Sequence, residues 1–522
     1  MKKYLINDKA KEKLLSGSQK LCEIVSSTLG PKGRNVALDR KYAPPLITND
    51  GVSIAREYEC EDDYENMACK LIKEASIKTN DVAGDGTTTA IVLSGKLLEE
   101  GIKAINNGSS PILLNKGINY AKNKAIEEIK KVAKKVTTKE EIRQVAMISS
   151  QDEEIGNLIS KAYSLLKGTN ISLQDSKTDR TELVYLEGMT IDGGFISPYL
   201  TTNMEKGIAE YDECLLLLTD KKLNSFGEMV PLFEKVMKSG LPLVIICDDI
   251  DDETLSSVVV NKMRGTFNCT IIRAPLYGEK KLALLEDIAS LTSTEVASVS
   301  RGMNLSSLSL EDLAVLKHIK VTKDKTTIIA KNIDNARLNS RKKLIEEQIK
   351  TCESDYDKEQ LQKRLANLSG GIATILVGAN TDIEQKEKKL RIEDAVSATA
   401  SAIEQGIAPG GGVTLYNIAD RIKTPKNITK DEEIGIKILK ETLKEPLIKI
   451  LENASLDSQE IIKKIAKKRQ FSFGYDALNN KFCDMLKSGI IDPAKVTISA
   501  LTNSVSVVTT MLTTNVLITD KE

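Results

Sequence analysis

The sequence predicts a multidomain α+β protein in which a mostly helical domain is interrupted by an inserted α/β domain. Three observations lead there. The chain has 522 residues, which at about 100–200 residues per domain means two to four domains with length enough for a large core. Apolar residues fall at helical spacing up to about residue 136 and again from Ile392 onward. Between these regions, short apolar runs take turns with helical stretches, the alternation of an α/β unit.

Taken in order, residues 8–28 carry Leu14, Leu21, Ile24 and Val25 at helical spacing, and Gly30-Pro31 ends the pattern. Residues 35–38 and 45–48 read as two short strands around a turn at 39–44. Helices are expected over 66–79, 88–105 and 111–136, the last opened by Pro111 in its first turn. The central strands are 171–173, 183–186, 214–218, 243–247 and 270–273, alternating with helices at 226–239, 252–263 and 280–292. A charged helical pair follows at 336–352 and 355–368, broken at Glu353-Ser354 and closed by Gly370-Gly371. No internal repeat or low-complexity tract is visible.

Composition excludes several functions. Lys plus Arg and Asp plus Glu both total 74, so no basic excess points to nucleic acid or acidic lipid. Hydrophobic residues at 41% and charged ones at 28% exclude a disordered chain. A single histidine, His318, rules out a multi-histidine zinc site. The eight cysteines form no Cys-x-x-Cys pair, which fits free thiols in a reducing compartment. Charged and polar residues from Asn7 on interrupt any secretory leader. Residues 496–519 have no charge over 24 positions, enough to span a bilayer by length, but half are Thr, Ser or Asn. That composition suits a buried helix, and the expectation is a soluble protein of the bacterial cytoplasm or an organelle matrix.

The sharpest chemical feature is residues 81–90, Asp-Val-Ala-Gly-Asp-Gly-Thr-Thr-Thr-Ala, directly before an apolar helix. Glycines let backbone N–H groups turn inward, a helix N-terminus favours anions, and three hydroxyls add donors for phosphate oxygens. Asp85 is the oxygen ligand that a phosphate-bound Mg²⁺ needs. The same residues also make an ordinary N-cap, and generic chemistry does not separate the two. Gly-rich turns at 29–34, 49–51 and 410–412 share the pattern, but each alone is more often a plain turn. No Walker loop or kinase signature is present, so a nucleotide site here must be of another design.

At this constellation the sequence resembles the group I chaperonins, the GroEL-type ring chaperones, over essentially its whole length. Thr28-Leu29-Gly30-Pro31-Lys32-Gly33-Arg34-Asn35, the 81–89 motif, Glu187-Gly188-Met189, Ser197-Pro198-Tyr199, 408–412 and Gly489-Ile490-Ile491-Asp492-Pro493 occur in the family's order and spacing. The resemblance implies a GroEL-like fold: an equatorial ATP-binding, ring-forming domain at 1–131 and 405–522, an intermediate hinge domain at 132–186 and 373–404, and an inserted apical client-binding domain at 187–372. It implies that Thr28, Leu29, Gly30 and Pro31 line ATP, with Asn49, Gly51 and Gly411 close by. Asp85, Gly86, Thr87, Thr88 and Thr89 would hold the phosphates, Asp85 would hold Mg²⁺, and Asp476, Ala477, Leu478 and Asp492 would bound the adenosine end. Asp50 would face the γ-phosphate, and Asp394 would be brought in by a domain rotation to position the attacking water. K⁺ is the further cofactor implied.

In the apical domain the resemblance implies that Phe195, Tyr199, Leu200, Val230, Phe233, Leu255, Val259 and Val260 contact non-native proteins and the mobile loop of a co-chaperonin lid. Periodicity alone would place these stripes in a core. Gly188, Gly370 and Gly371 match the hinge, and residues 515–519 would pair with the 35–48 hairpin of a neighbouring subunit in a seven-membered ring, single or double. Some positions depart from the family pattern. Asn49 stands for a usual Lys, Asp476 for Asn, Leu478 for Ala, Ile448 for an Arg facing the opposite ring, and Gly193 for Arg; residues 276–279 read Leu-Tyr-Gly-Glu, and the Gly-Gly-Met tail is missing. The expected function is an ATP-dependent folding chaperone; the alternative is a holdase or scaffold with little or no turnover.

Overall fold

The computed structural model describes residues 2–39, 45–165, 171–176, 178–204, 206–298, 302–352, 354–468 and 470–520. The predicted turn at 39–44 and the break at Glu353 lie largely or wholly outside these residues. The chain divides into two compact units, the first of residues 1–164, 175–182 and 376–522, the second of residues 165–174 and 183–375.

The first unit is helical. Asp8–Ser26, Asp63–Ala83, Thr87–Asn106, Pro111–Val132, Lys430–Thr442 and Ala494–Thr513 surround a core that includes Leu14, Leu21, Ile72, Leu97, Leu98, Ile118, Leu439 and Val505. The expected helices over 66–79 and 111–136 are therefore longer and shorter than their apolar patterns. Asp62 caps the former by accepting from Tyr64 and Glu65 N–H groups, and the latter stops at Val132. The Ala494–Thr513 helix, whose one charged residue is Lys495, is long and apolar enough to cross a membrane. It packs on the Asp63–Ala83, Thr87–Asn106 and Pro111–Val132 helices, burying Ala500, Leu501, Val505, Val508 and Leu512, so its apolar face serves a core. Gly17 lets the Asp8–Ser26 helix approach Asp63–Ala83 closely, because a Cβ there would strike the Glu65 backbone. Glu65 ties this crossing through Lys13 at 3.0 Å, Lys20 at 2.5 Å and the Ser16 hydroxyl at 3.1 Å.

Two short strands, Val36–Leu38 and Leu46–Thr48, pair antiparallel as the sequence predicts. The C-terminal strand Val516–Asp520 pairs antiparallel with Lys2–Ile6 of the same chain. Sequence reading supplied only a neighbouring subunit's hairpin as its partner.

The second unit is built on a six-stranded sheet ordered Cys269–Arg273, Leu243–Cys247, Ala209–Leu218, Ala314–Val321, Thr326–Ala330, Gly188–Ile191. The first three strands are parallel and the other pairings antiparallel. Both faces are covered, which is why the strands read as continuous apolar runs. Leu216, Leu218, Val244, Ile246 and Ile272 face the Gly278–Leu291 helix and the charged pair. Leu215, Leu217, Leu243, Ile245 and Ile271 face Phe226–Ser239 and Asp252–Met263. The charged pair, Asn335–Thr351 and Asp355–Gly370, is held by a buried carboxylate. Asp287 accepts from Arg341 Nε at 2.7 Å and from Arg364 Nε and Nη2 at 2.7 and 2.9 Å, and Glu286 accepts from Arg341 Nη1 at 2.9 Å.

His318 is buried in the Ala314–Val321 strand, its Nδ1 2.8 Å from Asp212 Oδ1 and its Nε2 3.3 Å from Glu210 Oε1. Burial by itself would lower the imidazole pKa, but the Asp212 hydrogen bond and the Glu210 carboxylate outweigh it, and the net direction is up. A group whose folded pKa is raised adds stability in full below its unfolded pKa, about 6.5 for histidine, and loses it as pH rises through the folded value. Thermal unfolding of the wild type followed from pH 6 upward is therefore expected to show a decline that His318→Asn lacks. Parallel curves for the two proteins would remove this role.

Candidate functional site

Two helix N-termini meet at the centre of the first unit. The Gly51–Glu57 helix begins at Asp50, whose carboxylate caps it by accepting from Val52 N–H at 3.1 Å and Ser53 N–H at 3.0 Å. The Thr87–Asn106 helix begins at Gly86 and has no side-chain cap. The ordinary N-cap reading of residues 81–90 is thereby corrected: Asp85 does not cap the helix it precedes. Its Oδ1 accepts from Gly86 N–H at 2.5 Å and its Oδ2 from the Ser149 hydroxyl at 2.9 Å. The first-turn amides of the Thr87–Asn106 helix and its positive dipole end are left without a side-chain acceptor, the arrangement that suits a phosphate.

Glycine is required at the junction for steric and conformational reasons. A Cβ on Gly51 would collide with Thr88, so the two helix starts could not abut. Gly84 and Gly86 adopt φ of 67° and 81°, the left-handed region that lets the chain reverse on both sides of Asp85. Thr87 Oγ1 lies 3.5 Å from Asp50 Oδ1, and Thr28 Oγ1 lies 3.4 Å from Thr88 Oγ1. These contacts bring Thr28, Asp50, Gly51, Asp85, Gly86, Thr87 and Thr88 together, with Asn49 and Thr89 adjoining in the chain.

The Thr28–Pro31 turn is fixed from below by Asn453, whose Nδ2 donates to the Ser26 and Leu29 carbonyls at 2.8 and 2.9 Å. Gly30, at φ of 88°, is packed on Ile450. Lys32 Nζ reaches Asn480 Oδ1 at 2.9 Å, which sets this turn beside the one formed by Asp476, Ala477 and Leu478. Asp476 is buried and closes its own turn, accepting from Leu478 and Asn479 N–H groups at 3.1 Å each and from Asn479 Nδ2 at 2.8 Å. Ala477 is buried and Leu478 exposed. Gly411 has φ of 64°, and its neighbour Gly410 is set against Asp492, since a Cβ there would meet Asp492 Oδ1 at 2.8 Å.

Asp85 and Asp492 share one electrostatic environment. Protein surrounds both, although a little of each carboxyl remains accessible. Burial and then the charge of Asp85 push Asp492 up to about 7. Burial raises Asp85 also, against the hydrogen bonds from Gly86 and Ser149 and with a further upward push from Asp50. Three acids thus gather beside an uncapped helix N-terminus with no cation among the groups that set these pKa values. Among the described residues no three acidic, cysteine or histidine side chains are grouped to hold a metal ion by themselves, so a hard divalent cation here would need oxygen ligands from a bound phosphate beside a carboxylate such as Asp85.

Asp394 stands on the Asp382–Gln405 helix. Three and seven residues on, Ser397 fills the space where a Gly84 Cβ would be, and the Ser401 hydroxyl donates to Ala83 O at 3.1 Å. Positions i, i+3 and i+7 share a helix face, so Asp394 belongs to the face that rests on the end of the Asp63–Ala83 helix. The sequence reading did not find Ser149 or the Asp85–Asp492 coupling; Ser149 lies at the end of the Lys139–Ser150 helix, far from any motif.

A family model described as the TCP-1/cpn60 chaperonin family matches residues 21–522. The chain belongs to that family. Its fold is similar to that of the chaperonin gp146 from the bacteriophage EL 2 (Pseudomonas aeruginosa), crystallised in the presence of ATP-BeFx. That structure matches with a TM-score of 0.64 and 22% sequence identity, over 99% of each chain. At that identity the likeness establishes the multidomain α+β chaperonin fold, and family membership supports a chaperone role.

In the chaperonin's second unit, the residues expected to contact clients divide by exposure. Tyr199 and Val260 are exposed, at 55% and 45%, while Phe195, Val230, Leu255 and Val259 are half-buried. Leu200 and Phe233 are fully buried, a correction to the expectation that they meet a client directly. Both belong to the core beneath the Phe226–Ser239 and Asp252–Met263 helices, and Phe233 stacks 4.8 Å from Phe267. Met204, Met237 and Met263, which sequence reading did not single out, are also exposed apolar side chains of this unit. Of the expected hinge glycines, Gly188 opens a strand and abuts Ile328 O, Gly371 has φ of 56° against the Tyr185 ring, and Gly370 ends a helix.

Proposed function

We propose that the protein is an ATP-dependent folding chaperone that assembles into rings, binds non-native polypeptides on an apolar apical rim and releases them through an ATP cycle. The observation that carries this reading is the meeting of Asp50, Asp85 and the uncapped Thr87–Asn106 helix at one point. In it, the first-turn amides and Thr87–Thr89 hydroxyls receive the phosphates, and Thr28–Pro31, Gly411 and the Asp476–Leu478 turn bound the nucleoside. Asp85 would hold Mg²⁺, which would supply charge neutralisation for phosphoryl transfer. Asp50 faces the transferred phosphate, and Asp394 orients the attacking water as the unit rearranges. K⁺ would be the further cation, supplying positive charge beside Asn49, which carries none.

The reading keeps the three-part division, with the hinge domain at 132–186 and 373–404 working through Gly188, Gly370 and Gly371. Tyr199, Val260, Met204, Met237 and Met263 bind exposed apolar segments of clients by the hydrophobic effect, without reading sequence. Leu200 and Phe233 act as the support under that rim. A co-chaperonin loop competes for the same surface. Seven subunits close a ring by strand addition at the Lys2–Ile6 and Val516–Asp520 pair, whose Tyr4, Ile6, Val516 and Ile518 are exposed. The chaperone test is suppression of aggregation of a chemically unfolded client, followed by its release on adding ATP. Val260→Glu is expected to cut capture about tenfold, since it places a charge in the apolar contact, while ATP turnover without client stays as in the wild type. Capture unchanged by Val260→Glu and Tyr199→Glu together would remove the rim assignment.

A further inference from the structure

Cys60 and Cys69 are two thiols that the proposed nucleotide site does not use. All eight cysteines are free, but the Sγ atoms of these two lie only 3.2 Å apart, about 1.2 Å more than a disulfide bond. Cys69 is buried on the Asp63–Ala83 helix and donates to Gly17 O at 3.2 Å, at the close crossing that Gly17 permits. Cys60 is half-buried in the 58–62 link, with Tyr58 Oη 3.7 Å from its sulfur. Burial and then Cys60 push the Cys69 thiol up to about 12, so the partly accessible Cys60 is the sulfur that meets an oxidant first. The link has a particular place in the chain: it follows the helix that Asp50 caps and precedes the helix that runs to Gly84 and Asp85.

We propose that Cys60 and Cys69 are a redox pair that a peroxide closes into a disulfide, stapling the 58–62 link to the Asp63–Ala83 helix. The Cys60 thiolate attacks one peroxide oxygen and the O–O bond breaks, giving Cys60 sulfenic acid and hydroxide, which takes up the thiol's proton to leave water. The Cys69 sulfur then attacks the Cys60 sulfur, the S–O bond breaks, and the departing hydroxide leaves as water with the Cys69 proton. Two thiols lose two electrons, which reduce one peroxide to two waters. A dithiol reverses the bond by exchange. The consequence for the site is a fixed connection between the elements that carry Asp50 and Asp85; its meaning for ATP rests on the proposed function, but the cross-link itself does not.

Trypsin leaves both cysteines in one peptide, residues 57–70, between Arg56 and Lys70. Full-length folded protein treated with hydrogen peroxide, then alkylated and digested, is expected to give this peptide lighter by two hydrogens and without alkyl groups. Dithiothreitol should restore two alkylation sites. The first thermal transition should rise by a few degrees on oxidation in the wild type and stay put in Cys60→Ser. Several results would overturn the proposal: both thiols still alkylated, Cys60 carried on to sulfinic acid, Cys69 joined to Cys22 instead, equal cross-linking in urea-unfolded chain, or a cross-link with no thermal shift. Cys69→Ser with Cys60 trapped as sulfenic acid provides a second check should Cys60→Ser not fold.

Discussion

Replacing Asp394 with alanine slows steady-state ATP turnover by about 10²–10⁴-fold, the range that a positioned acid–base group contributes, while nucleotide affinity and assembly stay as in the wild type. The argument is geometric. Asp394 shares a helix face with Ser397 and Ser401, which rest on Gly84 and Ala83, so its helix face sits against the turn that carries Asp85. On the proposed reading, its loss removes the group that orients the reacting water and leaves the helix starts at Asp50 and Gly86 in place. Such a residue lowers kcat with little change in binding. Single-turnover hydrolysis beside a fluorescent-nucleotide titration separates the two quantities. Asp394→Asn is the informative comparison, because it keeps shape and hydrogen bonding but not the charge. Wild-type turnover in Asp394→Ala would take the residue out of the chemistry.

Asp287→Ala destabilises the second unit by about 3–5 kcal/mol, the usual consequence of removing one partner from a buried ion pair. Asp287 is 1% exposed and takes three hydrogen bonds from two guanidinium groups. Without it Arg341 and Arg364 are left side by side over the Ala283 carbonyl to which both donate, with Glu286 still on Arg341. The charged pair 335–370 buries few apolar side chains, Leu338, Ile345 and Leu368 among them, so it depends on this network more than a core helix would. Urea unfolding of the second unit's transition checks the size of the effect. The triple change of Asp287, Arg341 and Arg364 to apolar residues of similar volume should recover much of the loss, since no buried charge is then left unpaired in this network.

The fold was legible in the sequence where one physical signal dominates. Continuous apolar runs marked 214–218, 243–247 and 270–273 as strands covered on both faces, and the 226–239 and 252–263 helices have the boundaries their patterns predict. Strands 314–321, 326–330 and 372–377 escaped because charged or threonine residues break their runs, and because antiparallel pairing to Ala209–Leu218 is set by distant chain. In the site, the glycine and threonine motifs located the cradle. They did not reveal that Asp50 caps a helix while Asp85 does not, because both read as Asp beside Gly. Leu200 and Phe233 carry the same apolar signature as Tyr199 and Val260; only the packing of the two helices on the sheet decides which face is turned outward. Asp476 reads as a base-side residue in sequence, yet its carboxylate is engaged with Leu478 and Asn479.

The central claim, that this cradle binds and hydrolyses ATP in coupled subunits, is tested most directly by steady-state hydrolysis across a series of ATP concentrations with Mg²⁺ and K⁺ present. The account predicts turnover with a sigmoidal dependence on ATP, the signature of coupling between sites in a ring. No turnover above background in folded protein would contradict it and leave a client-binding scaffold without an ATP cycle.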